Sequence, residues 1–153
     1  MKNNRVLAFT LSEVIIVLIL TSIVIGLAFT VLGLVQKQMF AIQSNYNKNL
    51  EIKKFQTALW MDFNRYLTIQ YNTFEDKMVL KNEIDSISYN FSKDYIVKEA
   101  DTFNIQLKTK QFYFDGDLSN SNKLDAIKFT TTKAYQSQEL FIFKKNDATS
   151  YMD

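Results

Sequence analysis

Residues 5–20 read RVLAFTLSEVIIVLIL, and the one acid among them, Glu13, decides how the chain is understood. It stands at the entrance to residues 14–35, VIIVLILTSIVIGLAFTVLGLV, which carry no charge. At about 1.5 Å per residue, a helix of that run is about 33 Å long, enough to cross a bilayer core. A cleaved secretory signal has an apolar region of only about 7–15 residues and then a small-residue cut site. Here the run is longer, and Gln36-Lys37-Gln38-Met39 follows it. A plain signal anchor fits the length and the basic start but gives Glu13 no purpose.

Composition narrows the rest. The 153 residues are 47% hydrophobic, which suits one small domain besides the apolar span. The net charge of +2 resides in the first residues: Lys2 and Arg5 precede every acid, and without residues 1–8 the bases and acids are equal in number. A nucleic-acid partner is therefore not expected. There is no His and no Cys, which removes disulfides, thiolate or imidazole metal sites and Ser/His or Cys/His nucleophile pairs. Gly116 is the one glycine outside the apolar span, so neither a phosphate-cradling loop nor a nucleophile elbow can be written. Nothing positions two of the acids across a cleft, so neither catalysis nor a cofactor is expected.

In order, the basic leader with Lys2 and Arg5, then Ala8, then Phe9-Thr10-Leu11-Ser12-Glu13 and the apolar run resemble the N-terminal processing motif of type IV prepilins and type II secretion pseudopilins. In that family the leader ends in Gly, sometimes Ala, and Glu is the fifth mature residue. The resemblance implies that a membrane-embedded prepilin peptidase cuts between Ala8 and Phe9 and methylates the new amine of Phe9. It also implies an assembly role for Glu13. A central intramembrane Asp costs about 2.5–3.5 kcal/mol on insertion scales, and an acid near the edge costs less. Stacking subunits would bury Glu13 more deeply, where the free amine of a neighbour's Phe9 can neutralise it. That pair exists only after cleavage, because a peptide nitrogen carries no charge. The alternative is an edge residue hydrated by lipid headgroups.

The expected organisation is a leader over residues 1–8, a transmembrane and assembly segment over 9–35, and a periplasmic pilin-like domain over 36–153. Lys2 and Arg5 hold the N-terminus in the cytoplasm of a single-pass inner-membrane protein. Gly26, Ala28 and Gly33, with Thr21 and Ser22, either admit close helix approach or are ordinary filler. Residues 36–68 lack Gly and Pro. Their apolar positions, Ile42, Tyr46, Leu50, Ile52, Phe55, Leu59, Phe63, Tyr66 and Leu67, form an amphipathic stripe. Lys48, Lys53, Lys54, Asp62 and Arg65 are left to the polar side, and Trp60 reads as either core or contact surface, with core preferred. After about Tyr71 the period falls to two. Ile87/Tyr89/Phe91, Phe103/Ile105/Leu107, Phe112/Phe114 and Ile127/Phe129 read as strands with one buried face, and residues 140–143 as a strand central or covered on both faces. The fold class is α+β: a long N-terminal helix, transmembrane and then amphipathic, packed on a small antiparallel sheet.

Residues 115–122 are oxygen-rich, and Asp115, Asp117 and Asp125 are candidate calcium ligands. The loop lacks the Gly and the closing Glu of a calcium motif, and a turn explains it better. Lys123, Lys128, Lys133, Lys144 and Lys145 read as a solvated face. Finally, ISYNFSKDYIVKEADTFNIQ is similar to a pattern of J-type minor pseudopilins and F-type competence minor pilins: a strand with Tyr89 and Phe91, then a second strand, Tyr95-Ile96-Val97, ending in the base Lys98. The family resemblance implies a structural minor pseudopilin that helps initiate or cap a short periplasmic pseudopilus. Its partners would be other pseudopilins or pilins, the prepilin peptidase, the inner-membrane assembly platform and lipid. The alternative is a minor pilin of a type IV or competence pilus, active in DNA uptake or surface binding.

Overall fold

The structure is a computed structural model and describes residues 9–119 and 123–145. One helix, α1 (Leu11–Arg65), precedes nine strands. The chain forms two compact units, one ending at Ser44 and the other beginning at Asn45, so α1 contributes to both.

In the first unit α1 is long and apolar enough to cross a membrane, and the chain buries none of its most apolar stretch. The hydroxyls of its apolar stretch, on Thr21, Ser22 and Thr30, are satisfied by the helix itself. Thr21 Oγ1 donates to the Val17 carbonyl at 2.8 Å, Ser22 to Ile19 at 2.7 Å and Thr30 to Gly26 at 2.9 Å. This internal bonding lets polar side chains sit in an apolar helix at little cost. A Cβ at Gly26 or Gly33 would meet nothing within 4 Å, so this chain makes no close approach at either.

In the second unit α1 lays Ile52, Phe55, Leu59 and Phe63 into the core. Spacings of three and four put these residues on one side of the helix. Two antiparallel sheets receive them. The first comprises β1 (Thr68–Asn72), β2 (Lys77–Lys81), β3 (Ser86–Phe91), β4 (Ile96–Lys98) and β5 (Asp101–Phe103), in sequential order. The second comprises β6 (Leu107–Phe114), β7 (Asp117–Leu118), β8 (Ala126–Thr131) and β9 (Glu139–Phe143), in the order β7-β6-β8-β9. In the first sheet Met78 pairs with Tyr89 and Leu80 with Ile87, all buried. In the second, Ile127 pairs with Ile142 and Phe129 with Leu140. Phe55 is the hub: its ring centroid lies 6.2 Å from Tyr89, 5.5 Å from Phe103 and 5.6 Å from Phe129, which joins the helix to both sheets. Truncating a core Phe to Ala costs about 3–5 kcal/mol, so Phe55 is a principal stabiliser.

The α+β class, with a long helix on antiparallel strands, is as expected, but several finer expectations are corrected. The strands form two sheets. The expected run Phe103/Ile105/Leu107 is split between them: the Ile105 amide donates to the Phe103 carbonyl at 3.0 Å, a tight three-residue turn that carries the chain from β5 to β6. Burial still alternates through that turn, which is why it resembles one strand. Strand β9 is an edge, with Leu140 and Ile142 buried and Phe141 and Phe143 exposed. Its unbroken apolar sequence reflects two different faces. Trp60 is 57% exposed rather than core, as are Ile42, Tyr46, Leu50 and Leu67 on the expected stripe. Asp62 is buried, and Lys144 is no merely solvated cation. Its Nζ donates to the carbonyls of Tyr66, at 2.9 Å, and Leu67, at 2.5 Å, placing positive charge where α1 ends.

Candidate functional site

Two places gather the residues that the sequence singles out. The first is the start of α1. Ala8 lies outside the described residues; Phe9 is exposed, and the helix begins two residues later. Glu13 Oε2 accepts the Thr10 amide at 2.9 Å and the Thr10 hydroxyl at 3.0 Å, while the Glu13 amide donates to Thr10 Oγ1 at 3.4 Å. This is a reciprocal capping box, and its Thr-x-x-Glu signature is plain in Thr10-Leu11-Ser12-Glu13. This capping role is not among the roles expected for Glu13 from the sequence. Glu13 thus has a local role, satisfying the first orphan amides of the helix. Its Oε1 has no partner among the described residues, and a carboxylate can accept more than the two bonds made here.

The second place is a buried cluster built by α1, β3 and β4. Tyr89 and Lys98 are register partners on adjacent strands. Both reach Asp62 on the core side of the helix. Lys98 Nζ lies 2.8 Å from Asp62 Oδ2, and the Tyr89 hydroxyl donates to that same oxygen. Asp62 is only 6% exposed, and Lys98 is mostly covered. Burial, followed by the hydrogen bond to Asp62, pushes the Tyr89 hydroxyl well above its ordinary range, so it stays a donor. The strand base noted at Lys98 therefore has a counter-ion. Removing one member of such a pair strands the other in a dry site, at about 3–5 kcal/mol. The spacing Phe55, Leu59, Asp62, Tyr66 was enough to place Asp62 on the core side; its charge argued for the opposite face.

A parallel arrangement ties the two sheets together. Asp76, in the turn between β1 and β2, accepts the Tyr71 hydroxyl at 2.5 Å and pairs with Lys110 of β6. Tyr71 stacks on Phe112 with centroids 4.0 Å apart, and its hydroxyl too is pushed up by burial and by Asp76.

The candidate calcium ligands are placed differently from a metal loop. Asp115 and Gly116 have φ of 53° and 87° and form the tight turn between β6 and β7, a conformation that Asp-Gly favours. The Asp115 amide donates to Asp125 Oδ2 at 2.7 Å, so the buried Asp125 carboxylate braces the turn. Asp117 is exposed on β7. Among the described residues no three acids converge as metal ligands. Residues 120–122 of the expected loop lie outside them. Compared with known protein families, with curated proteins and with solved structures, the chain matches none.

Proposed function

We propose that this chain is a structural subunit of a pilin-like filament: a minor pseudopilin of a type II secretion pseudopilus, processed between Ala8 and Phe9. In this reading α1 is held in the inner membrane by its apolar segment, with the cytoplasm on the side of Lys2 and Arg5 and the β-strand domain on the other. Glu13 Oε1 is the acceptor for the amine of a neighbouring subunit.

One observation carries the reading. The apolar surface of α1 exceeds what a bilayer and the chain's own core account for. In the first unit Met39, Phe40 and Ile42 are exposed beyond the uncharged run. In the second, Tyr46, Leu50, Trp60 and Met61 are exposed, on the side of the helix away from Ile52, Phe55 and Leu59. A single-pass anchor has no use for such residues, whereas a helix that packs against sister helices does. Trp60→Lys tests this in cells that build the filament. The domain should fold, since the side chain lies outside the core, while incorporation falls sharply. Normal incorporation of Trp60→Lys would remove the reason for placing α1 among other helices.

A further inference from the structure

Beyond helix packing, the four sheet edges differ in how they are protected. Unpaired strand edges invite pairing with another chain unless they are short, charged or covered. Edge β5 has three residues, two of them the polar Asp101 and Thr102, and edge β7 has two. Edge β1 is covered where Gln70 bridges to Lys123 and the Leu124 amide donates to the Ile69 carbonyl at 3.0 Å. Strand β9 is neither that short nor covered among the described residues, and its charges stand only at its ends, Glu139 opening it and Lys144-Lys145 after it. It runs five residues, ELFIF, uncharged after Glu139.

Its backbone polarity can be read from its pairing with β8. The Lys144 amide donates to the Asp125 carbonyl and the Thr131 amide to the Gln138 carbonyl, both at 2.9 Å. Antiparallel ladders alternate, so even-numbered residues of β9 turn their amides and carbonyls to β8 and odd-numbered ones turn them to the open edge. The odd residues also carry the outward side chains, Phe141 at 54% and Phe143 at 62% exposure. Phe141 lies 6.1 Å from Tyr113 and 6.0 Å from Phe143, centroid to centroid, forming an aromatic row on the outer face of the sheet.

We infer that β9 pairs antiparallel with β9 of a second copy of this chain. A two-fold pairing keeps outward residues on one face only when odd positions meet odd positions. Among such registers, the one centred on Ile142 sets Phe141 against the second copy's Phe143 and Glu139 against its Lys145. Both ends of the joined strands then bring opposite charges together, Lys145 joining a Glu139 that already pairs with Lys128 of its own chain at 3.0 Å, and Phe141 and Phe143 exchange the backbone bonds that the edge leaves open. The sequence ELFIFKK is complementary to itself in this register. This pairing does not depend on how the N-terminus is processed.

The chain has no Cys, so single cysteines report cleanly. The full chain in nanodiscs holding more than one copy is treated with a short bis-maleimide. Phe143→Cys is expected to give a crosslinked dimer, whereas Leu118→Cys, on the far edge strand β7, gives none. Adding Phe141→Pro, which removes an amide that β8 does not use, abolishes the dimer. Independently, Lys145→Glu sets like charges together twice per dimer and weakens association about fivefold or more. Glu139→Lys and Lys128→Glu, which keep the pair within the chain, restore it when combined with Lys145→Glu. Equal yields from Phe143→Cys and Leu118→Cys, or a dimer indifferent to the charge reversal, would overturn the pairing.

Discussion

Glu13 and Asp62 are two acids on one helix, and the chain treats them differently. Asp62 is enclosed by the domain and answered from within it, by an ammonium 2.8 Å away and a tyrosine hydroxyl on the same oxygen. Glu13 stands in a unit none of whose described residues is buried, and its only partner among the described residues is Thr10. A buried carboxylate costs several kcal/mol unless paired. The fold settles that cost for Asp62 with its own Lys98. In the proposed filament the cost for Glu13 arises when other helices surround it, and its counter-charge would then come from a neighbouring subunit. The difference separates what the fold supplies from what the proposal asks for: Asp62 fixes how α1 sits on its strands, and under the proposed function Glu13 is the acid kept for a neighbour.

This contrast can be broken at either end. Asp62→Ala should be the most damaging change, lowering stability by about 3–5 kcal/mol because it strands the Lys98 ammonium. The double variant Asp62→Leu/Lys98→Met should recover most of that loss in thermal or urea unfolding. If the single and double variants were equally unstable, the pairing would not be what matters. Tyr89→Phe should cost about 1.5–3 kcal/mol, the usual value for a hydrogen bond to a charged group. The tyrosine also sets an alkaline limit. Its folded hydroxyl holds its proton above the unfolded value of 10.0. Its contribution is therefore complete below pH 10 and declines as pH rises further. Tyr89→Phe should flatten the alkaline loss of stability, and an unchanged pH profile would contradict this. Glu13→Ala should have the smallest effect on the domain, within about 0.5 kcal/mol, with fraying confined to the first turn of α1. Processing should continue and incorporation into filaments should stop. Normal filaments built from Glu13→Ala would end the comparison between the two acids.

Much of this was legible in residue spacing. The helix shows in the three- and four-residue intervals of Ile52, Phe55, Leu59 and Phe63, because each interval depends only on local geometry. The alternation at Ile87/Tyr89/Phe91 is legible for the same reason. Strand β2 is hard to read from spacing because its two buried residues, Met78 and Leu80, sit in a short segment bounded by Lys77 and Lys81. The cluster at Asp62 was hidden for another reason. Periodicity places the acid on the core side, but only a lysine far away in sequence makes that position tolerable, and spacing does not reveal long-range partners. Similarly, Phe141 and Phe143 look as interior as Leu140 and Ile142 until the sheet order makes β9 an edge.

The most direct test of the proposed subunit is the mass of its native N-terminus, purified from cells whose filaments function. The expected polypeptide begins at Phe9 and carries one added methyl group on its amine. A native polypeptide that still begins with residues 1–8 would contradict the proposal, because Glu13 would then have no charged amine to meet.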